Sequence, residues 1–228
     1  MKILIVSATR NEVVGITETL EQLNCLENNF FRGFAQHRLI DLQVTGVGAA
    51  ATSESLAHRL FLSNYDLVLN VGICGSFKKE LAPGALVNIV SEQWGDLGAE
   101  DNEDFLDLFD LDIQKRDENL FSGKKLVNPQ SNYNKFFSNL PHVNGLTVNK
   151  AHGRKESIES CIKKYNPDVE SMEGMAVFNV CLSRGINFLC LRSISNFVEP
   201  RNRPVWQVEL ALMNLTAEVK RIISVIEK

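Results

Sequence analysis

Four short segments carry polar side chains where apolar runs end, and each holds residue types able to do chemistry. Glu12 follows the run Ile3 to Val6 and its Ser-Ala-Thr close. A carboxylate there sits in a first helical turn, where it can cap the turn or face a ligand. Asn70-Val71-Gly72-Ile73-Cys74-Gly75-Ser76 runs an apolar strand into glycines that let backbone approach a bound molecule, and Gly46-Val47-Gly48 is either similar or a tight strand-to-helix turn. Val169-Glu170-Ser171-Met172-Glu173-Gly174 places two acids before an apolar helix. A carboxylate at position 173 can cap that helix, or accept hydrogen bonds from two vicinal hydroxyls at once, as a sugar diol requires. Arg192-Ser193-Ile194-Ser195-Asn196 brings a guanidinium, a hydroxyl and an amide to one strand end, and Arg201-Asn202-Arg203-Pro204-Val205-Trp206 follows it. Ser91, Trp94 and Asp96, after another apolar run, are further candidates for lining a pocket.

The elements that must position these groups alternate. Continuous apolar runs predict strands at Ile3–Val6, Leu39–Val44, Leu67–Val71, Ala85–Val90, Gly145–Thr147 and Phe188–Arg192. Helical patterns fall at Asn11 to about Leu23, Ala50–Leu62, Ser157–Tyr165, Gly174–Arg184 and Arg203–Glu227. The alternation predicts an α/β protein, a mostly parallel or mixed central sheet with helices on both faces, and ligands at the carboxyl ends of strands. Asp96 to Asn134 is acidic and weakly periodic, and reads as an elaborated loop over one face, with a lid or a subunit contact as the alternative.

Composition narrows the function classes. The chain has 228 residues, 44% of them hydrophobic and 23% charged, which predicts one globular domain over residues 1–228. A net charge of −4 with no clustered Lys and Arg argues against a nucleic-acid partner and favours a small molecule. The first apolar run is too short for a signal peptide and no run is long enough for a membrane span. The five cysteines show no paired spacing, four of them lie in apolar surroundings, and they read as free thiols of a reducing, cytoplasmic setting rather than a disulfide framework or a metal site.

Taken in this order, the segments resemble the nucleosidase branch of the nucleoside phosphorylase superfamily, and within it the futalosine hydrolases of an alternative menaquinone pathway. The most specific matches are Ser-Met-Glu-Gly-Met-Ala at 171–176, Arg-Ser-Ile-Ser-Asn at 192–196 and Arg-Asn-Arg-Pro-Val-Trp at 201–206. The resemblance implies a three-layer αβα fold with a mixed sheet, a homo-oligomer, and no metal or organic cofactor. It further implies that Glu12 activates the attacking water with help from Arg192, that Glu173 holds the ribose hydroxyls, that Met172 packs on the sugar, and that Gly75, Ser195 and Trp206 line the substrate site. The acyl-benzoate end of futalosine would fall to Arg201 or Arg203.

Asn196 stands where the methylthioadenosine and adenosylhomocysteine nucleosidases carry a catalytic Asp. An Asp can donate a proton to a departing adenine. An Asn cannot titrate, but its amide offers a donor for a six-oxo group and an acceptor for a protonated ring nitrogen, which suits hypoxanthine. A mismatch would leave buried polar groups unpaired at about 1–3 kcal/mol each. Where related phosphorylases carry an Arg before the Val-Gly segment, this chain has Asn70, so phosphorolysis is a weaker reading with Arg10 as the stray basic residue. A nucleoside-binding module that has lost catalysis is the reading from another class, and the presence of both Glu12 and Glu173 argues against it.

Overall fold

The computed structural model describes residues 1–129 and 133–226. Strands β1 (Lys2–Ser7), β2 (Glu21–Glu27), β3 (Phe30–Ala35), β4 (Arg38–Val44) and β5 (Leu67–Ser76) form the first half of the sheet. Strands β6 (Leu86–Trp94), β7 (Gly98–Asp101), β8 (Asp104–Asp107), β9 (Phe121–Ser122) and β10 (Lys125–Val127) follow, then β11 (His142–Thr147), β12 (Val169–Ser171) and β13 (Phe188–Phe197). The helices are α1 (Val14–Thr17), α2 (Ala49–Leu62), α3 (Lys155–Tyr165), α4 (Gly174–Ser183) and α5 (Val208–Val225).

The sheet is mixed, with spatial order β2-β3-β4-β1-β5-β12-β11-β6-β10-β9, and β13 pairs with both β5 and β6. Strands β5, β12, β11, β6 and β13 therefore close into a ring at one end of an otherwise open sheet. Strands β1, β5 and β13 are parallel neighbours, so their carboxyl ends emerge on one side, where an α/β sheet presents its ligand crevice.

Each face of the sheet carries its own apolar layer. On one side Leu56 and Leu60 of α2 and Met175, Val177, Phe178 and Cys181 of α4 pack on Leu4, Val6 and Val68. On the other, Leu215, Val219, Ile222 and Ile223 of α5 cover Ile3, Ile5, Leu67 and Leu69. Those α5 positions recur at three- and four-residue intervals, which places them on one stripe of a helix. Alternate residues of β1 and β5 thus face opposite layers, and both strands read as continuous apolar runs because both faces are buried.

Three expectations need correction. The helix expected from Asn11 to Leu23 is a 3-10 turn at Arg10–Glu12 and the single helical turn α1; the chain then turns into β2. Val13, Ile16 and Leu20 do point into the core, but Leu23 and Leu26 stand exposed on an edge strand paired with β3. The turn between those strands has Asn29 at φ 64°, a left-handed conformation that Asn tolerates. The acidic stretch from Asp96 is not one loop: β7 and β8 form a hairpin, β9 and β10 a second, and β10 extends the main sheet along β6. Lys124 pairs with Asp107 and Asp110, and Lys164 also reaches Asp110, so two carboxylates of that stretch are held by ion pairs. The last helix begins at Val208 after a 3-10 turn over Arg203–Val205, and its expected end at Glu227 lies outside the described residues.

Cys74, Cys161, Cys181 and Cys190 are buried free thiols and Cys25 is exposed, which matches the four apolar settings read from the sequence. Among the described residues no helix is long and apolar enough to cross a membrane.

Candidate active site

Glu12, on the 3-10 turn after β1, is 8% exposed and ties that turn to the next strand. Its Oε2 accepts from the backbone N–H and the hydroxyl of Thr9, at 2.8 and 2.9 Å. Its Oε1 accepts from the Ile73 N–H of β5 at 3.1 Å. Gly72 makes this possible, because a Cβ there would stand 2.8 Å from Glu12 Oε1 and 3.6 Å from Arg192 Nε. Glu12 is thus a cap for its own turn and also a carboxylate anchored across two strands.

Glu173 caps nothing in the helix it precedes. Its side chain turns away from α4, and Oε1 accepts the Gly48 N–H at 2.9 Å from the start of α2. Gly48 has φ 95°, in the left-handed region that favours glycine, and that backbone turn is what aims its N–H at the carboxylate. Burial pushes the Glu173 carboxyl above its ordinary value; the Gly48 N–H and the Arg192 charge oppose this and Glu12 adds to it.

Arg192 is 1% exposed in the middle of β13. Its Nη2 donates to Asn70 Oδ1 at 2.5 Å and its Nη1 to the Leu191 carbonyl at 3.1 Å. Asn70 in turn donates from Nδ2 to the Val6 carbonyl at 3.1 Å, so β1, β5 and β13 are tied through one amide.

Asn196 stands at a register irregularity in β13, opposite Gly75. Its Oδ1 lies 2.7 Å from Ser195 Oγ and its Nδ2 donates to the Phe197 carbonyl at 2.8 Å. A Cβ on residue 75 would meet Asn196 Nδ2 at 3.3 Å and Val198 Cγ2 at 2.8 Å, so Gly75 is what lets the amide lie flat against β5.

These groups surround one cavity of about 420 Å³, lined by Glu12, Gly75, Met172, Glu173, Ser195, Asn196 and Trp206 among others. The volume falls in the range of small-molecule sites. Those seven residues, each given a role from the sequence, meet there. Arg192 lies behind the wall, against Gly72, and Arg203 sits exposed on its 3-10 turn without reaching the cavity. The guanidinium that does reach it is Arg201, whose Cζ lies 5.2 Å from the centre of the Trp206 ring.

Ser91, Trp94 and Asp96 do not line this cavity. Ser91 donates to Asn144 at 2.6 Å, and Asp96 accepts from the N–H groups of Asn149 and Lys150 at 2.6 and 3.2 Å, ordering the loop after β11. Arg10 is also elsewhere, fastened to Asn29 and stacked near Phe31.

Thr9, Glu170 and His152 also line the cavity, and none of them was given a role from the sequence. Thr9 looked like the end of a strand. Glu170 was visible as the first of two acids, but its partner was not. His152, in a non-periodic stretch, packs its ring edge near Phe77, and its Nδ1 contacts Glu170 Oε2. No spacing rule joins residues 152 and 170; only the pairing of β11 with β12 brings them together.

No protein-family model matches the chain. The fold is that of the nucleosidases: the 5'-methylthioadenosine/S-adenosylhomocysteine nucleosidase of Colwellia psychrerythraea in complex with adenine superposes with a TM-score of 0.82 and 19% identity, over 98% of this chain and 95% of that one. The native futalosine hydrolase of Helicobacter pylori also gives 0.82 and 19%, over 99% and 98%. In sequence, the futalosine hydrolase of Streptomyces coelicolor is 31% identical over 205 residues, which cover 86% of this chain and 84% of that protein. The chain belongs to the futalosine hydrolase family.

Proposed function

We propose that the protein hydrolyses the N-glycosidic bond of futalosine, releasing hypoxanthine and dehypoxanthine futalosine in menaquinone synthesis. The observation that carries this reading is the pair of anchored carboxylates, Glu12 and Glu173, opening on one cavity that has a neutral amide, Asn196, on its wall. Membership of the family supports the same conclusion.

In this mechanism the bond between ribose C1′ and the base nitrogen loosens toward an oxocarbenium-like sugar. Glu12 accepts a proton from the water that attacks C1′, and the one acceptor site on Oε1 not used by the two Thr9 donors and the Ile73 N–H leaves it room to do so. Glu173 holds the ribose hydroxyls and Met172 packs on the sugar. Arg192 contributes from behind Gly72, as a positive charge beside both carboxylates. Asn196, oriented by Ser195, offers the departing base a donor and an acceptor. Trp206 and Arg201 face the acyl-benzoate end, Arg201 being the one of the two candidate arginines that lines the cavity.

Water rather than phosphate is the nucleophile because the cavity lacks an anion cluster. Among the described residues lining it, Arg201 is the only Arg or Lys. The working enzyme is a cytoplasmic homo-oligomer of single-domain chains that needs no cofactor. The test is base release from futalosine, inosine and methylthioadenosine in phosphate-free buffer. Rapid hypoxanthine release from futalosine supports the reading, and release of adenine alone contradicts it.

A further inference from the structure

When the glycosidic bond breaks, its electron pair goes to the purine, and the departing base needs a proton. Asn196 has none to give. Among the described residues lining the cavity, the groups that titrate or carry charge are Glu12, Cys74, His152, Glu170, Glu173 and Arg201. Glu12 receives a proton from water, Glu173 is committed to the Gly48 N–H and the sugar, and a guanidinium does not release its proton. Burial pushes the Cys74 thiol up to about 12, which makes it a poor donor near neutral pH.

We infer that His152, oriented by Glu170, is the acid that protonates the leaving purine. The inference rests on the hydrolase reading above and assigns a residue that reading leaves idle. Glu170 is 7% exposed and grips His152 twice: Oε1 accepts its backbone N–H at 3.0 Å and Oε2 meets its ring Nδ1. A carboxylate on one imidazole nitrogen fixes the ring and leaves Nε2 as the working atom, as in the acid–base pairs of hydrolases. The chain is tied on both sides of the ring as well, by Asp96 to the N–H of Lys150 at 3.2 Å and by the Gly153 carbonyl to the N–H of Arg201 at 3.1 Å.

The position of the pair relative to Asn196 follows from register. Gly75 of β5 is aligned with Glu170 of β12 on one side and with Asn196 of β13 on the other. At a strand spacing of about 4.8 Å, the outer two Cα atoms stand about 10 Å apart in one row, with the side chain of neither blocked by the glycine between them. Val198 covers the glycine between them, and the cavity above it is lined by all of these residues, with the recognising amide on one wall and the proton donor on the other.

The step balances. The C1′–N bond breaks, His152 gives a proton to the base, water oxygen bonds to C1′, and Glu12 takes the proton that water loses. After the products leave, exchange with solvent removes the proton from Glu12 and restores the one on His152.

The test uses the full chain with His152→Phe, which keeps a ring against Phe77, and His152→Ala, which leaves a space. Wild-type base release is measured first, from futalosine and inosine; if there is none, the hydrolase reading fails, and this inference with it. With an active wild type, both variants are expected to lose about 10²–10³-fold in kcat with KM changed little, and added imidazole to restore His152→Ala at least about tenfold but not His152→Phe. A His152→Phe kcat within about threefold of wild type, or no imidazole rescue of His152→Ala, overturns the assignment and leaves the hydrolase reading standing.

Discussion

Asn70 holds Arg192 in place: its Oδ1 takes the guanidinium Nη2 at 2.5 Å while its Nδ2 is spent on the Val6 carbonyl. The residue that the sequence marked as a missing phosphate ligand is therefore a structural partner, and it turns the nearest buried cation away from the cavity.

Removing that amide leaves a fully buried charge short of an acceptor. Asn70→Ala is expected to cost about 2–3 kcal/mol of stability, seen as a lower urea midpoint at unchanged slope, and to lower kcat more than it raises KM. An unchanged midpoint would mean that water replaces the amide.

In the proposed mechanism Glu173 must be ionised to accept two sugar hydroxyls, and burial raises its carboxyl above its ordinary value. The ionised form dominates above that raised value and is lost as pH falls through it. The acidic limb of kcat/KM is accordingly expected above the usual Glu range. Glu173→Gln keeps an acceptor for Gly48 but loses the charge, and should lower kcat/KM about 10²-fold with little change in melting temperature.

Asn196→Asp introduces a titratable group on the cavity wall proposed to recognise the base. The ratio of adenine release from methylthioadenosine to hypoxanthine release from inosine should rise about tenfold or more, measured on both substrates with one preparation. A ratio unchanged or lowered would place base selection elsewhere.

Much of this was legible in the sequence where burial is two-sided or chemistry is local. The run at Ile3–Val6 identifies a central strand because both of its faces are apolar, and Leu67–Val71 does the same with one polar residue, Asn70, whose amide is buried and hydrogen-bonded. Glu12, Glu173 and Asn196 each follow an apolar run, so their place at strand ends is visible. Partners that come from distant elements were not legible: Gly48 for Glu173, Asn70 for Arg192, Glu170 for His152. The strand β2 was lost because Val13, Ile16, Leu20 and Leu23 imitate a helical stripe, and only the hairpin turn at Asn29 breaks it. Arg201 and Arg203 are two residues apart, and the 3-10 turn at Arg203–Val205 decides which one faces inward.

Glu92 gives a separate test of the packing beneath the site. It is fully buried; Oε2 accepts from the Thr147 hydroxyl at 2.9 Å, and Oε1 has no partner among the described residues. Burial pushes its carboxyl up to about 7, with Thr147 and Arg192 opposing. The folded state then binds its proton more tightly than the unfolded chain, so stability contributed at low pH is lost as pH rises from the unfolded value near 4.5 through about 7. The loss is on the order of 3 kcal/mol. Glu92→Gln should flatten that decline, making the variant relatively more stable at pH 8 than at pH 5 in thermal melts.

The most direct test of the central claim is to let the enzyme cleave futalosine in ¹⁸O-labelled water with phosphate present, and to weigh the sugar product. The account predicts dehypoxanthine futalosine carrying one ¹⁸O at its anomeric carbon, with free hypoxanthine in equal amount. A sugar 1-phosphate without label would contradict it and make the protein a phosphorylase.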